Sequence, residues 1–209
     1  MRNYRLEFCA GFAAAVLMGG VAIAMIGVPP TQAFDKPEDE RAVLKACEKR
    51  LCEMIVKKEA SGDDLVCALS KTWAKSSIKG GIEKKSLSWG FGDARCSVNL
   101  TAKRDDIIGA VTRPEHALEF TPHTVKCEVE RENEVTPINI TLAPKVTFKA
   151  GKADQAWLNV TEIEAPTAVK GAIWTAAQLE DTFGLFQSDM ISEINEFIGE
   201  KCPKALAGA

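Results

Sequence analysis

The chain is predicted to be α+β: an antiparallel β-meander of about 4–6 strands, an N-terminal helical hairpin, and C-terminal helices packed on one face, all stapled by disulfides. Three observations predict it. The apolar period is helical near both ends of the chain and two-residue in the middle. The strand-like runs alternate apolar with polar residues, as in a sheet with one covered and one wet face. Six cysteines remain once a leader segment is set aside.

Asp35 to Lys58 reads as the first helix. Leu44, Cys47, Leu51, Met54 and Ile55 recur at helical spacing, and Asp35 with Glu38 resembles a capping box. After Ser61-Gly62 a second helix is expected to about Ile78, with Leu65, Leu69, Thr72 and Trp73 on its apolar side and Gly80-Gly81 at its end. From Lys85 the period is two: Leu87, Trp89 and Phe91 alternate, Gly92-Asp93 reads as a hairpin turn, and Cys96, Val98, Leu100 and Ala102 share a face. Arg104 to Thr112 reads as a short helix with Asp105 and Asp106 at its electropositive end.

Ala117 to Phe120 reads as a strand, Pro122 as a bend, and Thr124 to Glu130 as a further strand, with Arg131 to Thr136 a polar turn. Ile138, Ile140, Leu142, Val146 and Phe148 hold one parity through Pro144, which requires an edge or a bulge there. Gly151-Lys152 reads as a hairpin turn, Asp154 to Ile163 as the last strand, and two helices follow, about Thr175–Phe183 and Ser188–Glu200.

Residues 1–33 have the layout of a secretory signal peptide. Arg2 and Arg5 precede an uncharged stretch from Cys9 to Val28, and Thr31-Gln32-Ala33 is a small-x-small cleavage site. Uncleaved, the same stretch is long enough to serve as a membrane anchor. The expected organisation is a signal peptide over 1–33, a single domain over 34–202 and a flexible tail over 203–209. A periplasmic or secreted location follows, with no transmembrane segment after cleavage. The part after Ala33 carries 24 basic and 28 acidic residues, a net −4, which argues against general nucleic-acid binding.

Of seven cysteines, Cys9 lies in the leader, and the remaining even set reads as three disulfides. Cys96 and Cys127 share apolar strand parity and are expected to pair. The helical hairpin favours Cys52 with Cys67, leaving Cys47 to Cys202; the rival pairing is Cys47–Cys67 with Cys52–Cys202. No CxxC is present, so neither a redox pair nor a zinc knuckle is indicated.

No motif marks catalytic residues, a metal site or a cofactor. HExxH, GxSxG, P-loop and EF-hand patterns are missing from the sequence. His116, His123 and Glu119 could sketch a metal site, but strand parity aims the two histidines apart, so they read as surface residues. Two surfaces suggest binding. Lys71, Lys75 and Lys79 would form a basic stripe on the second helix near Trp73, suited to an anionic partner. Asn99, Thr101, Asn139, Thr141, Thr147, Asn159 and Thr161 share outward parity around Trp157, suited to a sugar or protein. The expectation is an exported, non-enzymatic envelope protein that binds a protein, lipid or glycan. The alternative is a hydrolase of envelope polymers working through carboxylates the sequence does not single out.

Overall fold

The computed structural model describes residues 34, 39–82, 90–131, 134–184 and 187–207. The expected leader, and most of the strand expected around Leu87 to Phe91, lie outside the described residues. Helix α1 spans Glu40–Lys57, strand β1 Leu65–Trp73, α2 Lys75–Ile82, β2 Ala94–Ala102 and α3 Arg104–Thr112. Then come β3 (Glu115–Glu119), β4 (His123–Arg131), β5 (Glu134–Leu142), β6 (Lys145–Lys149), β7 (Lys152–Trp157) and β8 (Val160–Glu164). The chain closes with α4 (Thr167–Phe183), α5 (Gln187–Glu196), a π-helical turn (Phe197–Lys201) and α6 (Cys202–Ala207).

The class is α+β, and every strand pairing is antiparallel. A five-stranded sheet runs β1-β2-β4-β5-β8 and a three-stranded sheet β3-β6-β7. The second sheet is built from the first sheet's own strands. β3 leads into β4, β5 into β6 and β7 into β8, so three long strands each cross from one sheet to the other. The breaks fall at Pro122, at Ala143-Pro144 and at Asn159. Proline has no N–H for a ladder, and Asn159 takes the left-handed φ of +49°. The crossings are tied together: Phe120 N–H donates to Pro144 O (2.9 Å), Ala143 N–H to Asn159 O (3.1 Å), and Asn159 Nδ2 back to Ala143 O (3.0 Å). Strands that change sheet at a bend are the usual way to make such a corner.

The apolar parity is continuous from Ile138 through Ile140 and Leu142 to Val146 and Phe148, so both sheets turn the same side to the helices. Cys52, Met54 and Ile55 of α1 pack with Leu65, Cys67 and Ala102 of the sheet and Cys202 of α6. Val169 of α4 and Ile78 of α2 pack over Ala94, Cys127, Val129 and Ile138. Ala110 of α3 and Met190, Ile191 and Ile194 of α5 cover Val146, Phe148, Ala153 and Ala156.

The second helix expected over 62–78 is instead strand β1 followed by α2, so the N-terminal helical hairpin is replaced by a helix lying along an edge strand. Residues 65, 69 and 73 recur at a spacing that satisfies both a four-residue and a two-residue period. Cys67 separates the two, because it joins Leu65 on the buried side only in a strand. The strand then finds nine cross-strand partners in β2, from Leu65↔Ala102 to Trp73↔Ala94.

The disulfides are Cys47–Cys67, Cys52–Cys202 and Cys96–Cys127. Cys96–Cys127 is as expected, between directly paired residues of β2 and β4. The preferred Cys52–Cys67 and Cys47–Cys202 pairs are replaced by the rival arrangement. Five residues of α-helix turn through about 500°, so Cys47 and Cys52 point to different sides of α1. One meets β1 and the other meets α6. The expected flexible tail is helical from Cys202 to Ala207, with Cys202 fully buried.

Edge strand β1 is guarded by α1, which runs antiparallel to it. Arg50 donates to Val66 O (2.9 Å), and Glu40 accepts from Thr72 N–H (3.0 Å) and from the Thr72 hydroxyl (2.8 Å). Capping outward-facing backbone groups in this way removes part of the template for edge-to-edge aggregation.

Candidate functional site

Among the described residues, the helices cover one side of the bent sheet and none lies on the other. Register sets which residues share that outer side. Ser70, Ser97, Lys126, Asn139 and Glu164 form one row across the five strands. Ala68 pairs with Asn99 and Thr124 with Thr141, which pairs in turn with Glu162. Ser97, Asn99, Thr101, Thr124 and Lys126 are exposed, and Asn139 and Thr141 half-buried. The surface mixes hydroxyls and amides with the charges of Arg95, Lys126, Glu128, Glu162 and Glu164. Thr124 and Thr141 hydroxyls are 3.1 Å apart, and Asn139 Nδ2 donates to Glu164 Oε2 (2.9 Å). At one end Arg95 is engaged, donating Nε to the Thr72 hydroxyl (3.3 Å) with its guanidinium 5.0 Å from the Phe34 ring centre.

Past the bend, the same side continues as the outer face of the three-stranded sheet. Ala117, Thr147 and Gln155 form its central row, flanked by Glu119, Lys145 and Trp157. A shallow hollow of about 400 Å³ lies here, lined by Glu115, Ala117, Thr147, Lys149, Asp154 and Gln155 among others. The Thr147 hydroxyl is buried and has no hydrogen-bond partner. Ion pairs stand on either side: Lys145 Nζ–Glu119 Oε1 at 2.7 Å and Lys149 Nζ–Asp154 Oδ2 at 2.9 Å. The Lys145 hydrogen bond and charge hold the Glu119 carboxyl below its ordinary range. The Asp154 hydrogen bond and charge hold the Lys149 ammonium above its own. Each pair sets opposite charges side by side at the edge of the hollow.

Of the residues expected on the wet face, Asn99, Thr101, Asn139, Thr141, Thr147 and Trp157 fall on this one outer side. Asn159 does not. Its side chain is spent on Ala143 O at the corner, where a left-handed residue was needed. Thr161 sits at a bulge in the β5–β8 register and returns its hydroxyl to Thr141 O (3.2 Å). Ser70, Ser97, Thr124 and Lys126 belong to the surface and were missed. Their alternation with Leu69, Val98, Val125 and Cys127 was the available signal.

The expected basic stripe is broken up. Lys71 lies on β1, while Lys75 and Lys79 lie on α2, so a single helix does not carry all three. All three are exposed, as is Trp73 at 38 %. The α2 N-terminus is capped by Asp93, whose Oδ1 accepts from Lys75 N–H (2.8 Å).

His123 is buried and His116 half-buried with its side chain mostly covered, which corrects their reading as surface residues. The His116 side chain is 8 % exposed and His123 8 %. His116 lies flat against Gly109 of α3, with Arg113 at 3.3 Å from Nδ1 and Asp106 at 3.9 Å from Nε2. His123 faces β2 instead. Among the described residues no group of three His, Cys, Asp or Glu is placed to hold a metal ion.

No family model, curated protein or solved structure matches the chain. Three disulfides are consistent with an extracellular or periplasmic location. No helix among the described residues is long and apolar enough to cross a membrane.

Proposed function

We propose that the protein is an exported binding module of the cell envelope that recognises a hydroxyl- and amide-rich polymer, of the glycan class, along the outer side of its bent sheet. One observation carries the reading. A sheet face rich in Ser, Thr and Asn, on which Ser97, Asn99, Thr101 and Thr124 are exposed, runs into a hollow where the Thr147 hydroxyl is buried without a partner. Buried polar groups are normally satisfied, so an unsatisfied one at the floor of a surface hollow suits an incoming donor or acceptor. Ser, Thr and Asn both donate and accept, which matches sugar hydroxyls. The flanking ion pairs set opposite charges side by side and offer little to a charged ligand. Trp157, on the same side, supplies an apolar surface with a polar edge.

The test is an NMR titration of the oxidised protein with soluble peptidoglycan fragments and neutral oligosaccharides. Amide shifts confined to Ser97, Asn99, Thr124, Asn139, Thr141 and Thr147 are expected. A T124R/T147R double variant should weaken binding at least about tenfold while leaving the melting temperature within a few degrees. Shifts confined to the helical side, or shifts seen only with anionic lipid vesicles, would overturn the assignment.

A further inference from the structure

The β2–β4 ladder ends early. Cross-strand partners run from Ala94↔Val129 to Ser97↔Lys126, and beyond that point the strands part. At the far end of the gap Thr101 N–H donates to His123 Nε2 (3.0 Å), so an imidazole stands where the next ladder carbonyl would be. The Thr101 hydroxyl is also within reach of Nε2 (3.2 Å). On the other side of the ring, Nδ1 bonds the backbone carbonyl of Thr121. These two backbone groups settle the tautomer. An amide can only donate and a carbonyl can only accept, so Nε2 is the acceptor and Nδ1 carries the proton. The ring is closed off further by the edge-on Phe120 ring, 6.2 Å between centres.

We infer that His123 is a proton-sensitive latch between β2 and the β3–β4 crossing. A second proton has only Nε2 to go to, where it would face the Thr101 N–H. The bond to Thr101 must then break, and its amide, half-covered at the cleft, loses its acceptor. No hydrogen bond of the ring goes to a charged group. The charged residues of the neighbouring cleft are Asp64 before β1, Lys103 after β2, Asp106 on α3 and Glu119 at the end of β3, which Lys145 pairs. They line the cleft of about 360 Å³ beside Thr101, Phe120 and Thr121, or stand at its rim, and each already has solvent to face. A proton on Nε2 and the bond from Thr101 N–H exclude one another, because both need the same lone pair. Acid therefore favours release, and the segment freed is residues 120–123, which the Phe120–Pro144 bond ties to the corner between the sheets. The latch does not depend on the ligand proposed above.

The chain contains two histidines, which makes the test clean. Amide hydrogen exchange of the oxidised protein is followed between about pH 7.5 and pH 5.5, the window in which an imidazole changes charge. After correction for intrinsic rates, Thr101 should lose protection by about tenfold, and H116Q should behave like the parent. H123Q keeps an acceptor for Thr101 and a donor for Thr121 but cannot take a proton, and should abolish the pH dependence. Imidazole ¹⁵N shifts of the unsubstituted protein should show the Nδ1–H form at neutral pH. An Nε2–H tautomer, a Thr101 amide whose protection ignores pH, or a pH dependence that follows His116 would each overturn the latch.

Discussion

Glu40 is 7 % exposed in the first turn of α1, and both its carboxylate oxygens serve Thr72, thirty-two residues away. Removing it leaves the Thr72 amide and hydroxyl buried beside a void. E40A is expected to cost about 1–3 kcal/mol in urea unfolding, with E40Q recovering part of the loss. A change within the error of the measurement would show that water replaces the carboxylate. Gly109 poses the opposite problem. A Cβ there would lie 2.9–3.1 Å from three atoms of the His116 ring. Helix propensity alone makes G109A stabilising by about 1 kcal/mol. Overpacking against a ring held in the core makes it destabilising by about 1–3 kcal/mol. The sign of the change in unfolding midpoint decides between them, and the structure requires destabilisation. Neither partner could be read from the local sequence, because each contact is made across the fold.

At the scale of elements, α3 was legible end to end, because its apolar spacing, acidic first turn and following Pro114 all agree. β1 was not, because its apolar residues fit two periods and only pairing with β2 resolves them. That one element decided the disulfides. As a helix, residues 62–78 would have brought Cys67 back beside Cys52; as an extended strand rising about 3.3 Å per residue, they bring it level with Cys47. Non-reducing proteolysis should yield a Cys47–Cys67 peptide, and a Cys52–Cys67 peptide would contradict the structure. The staples also differ in weight. In the chain-entropy model the Cys52–Cys202 link, closing a loop with a separation of 150, is worth about 5 kcal/mol. The Cys47–Cys67 link, with a separation of 20, is worth about 3 kcal/mol. A C52A/C202A variant should lose more stability than C47A/C67A and should release α6 to hydrogen exchange first. The reverse order would show native-state strain outweighing loop entropy.

At the scale of the molecule, the sheet is a set of long strands bent along one line, with helices on the inner side and polar side chains on the outer. Small domains have total stabilities of about 5–15 kcal/mol, and three crosslinks of this kind are together worth a comparable amount. Fully reduced protein is therefore expected to lose its cooperative thermal transition by near-ultraviolet circular dichroism, whereas the oxidised protein melts in one step. A reduced form that keeps a sharp transition would show that the packed inner side suffices without staples.

The sequence by itself determined the α+β class, the sides of β2, β4, β5 and β6 that face the helices, the even set of six cysteines and the α3 helix. Each of these follows from local period or from counting. Only the tertiary structure decided that β1 is a strand, which cysteines meet, that the long strands bend into two sheets, and that both imidazoles are packed against neighbouring elements. These depend on what lies across a strand or beside a helix. Pro122 and Pro144 were visible as breaks in the sequence and Asn159 was not, since Asp154 to Ile163 read as one strand; only the alignment of all three across neighbouring strands makes one corner.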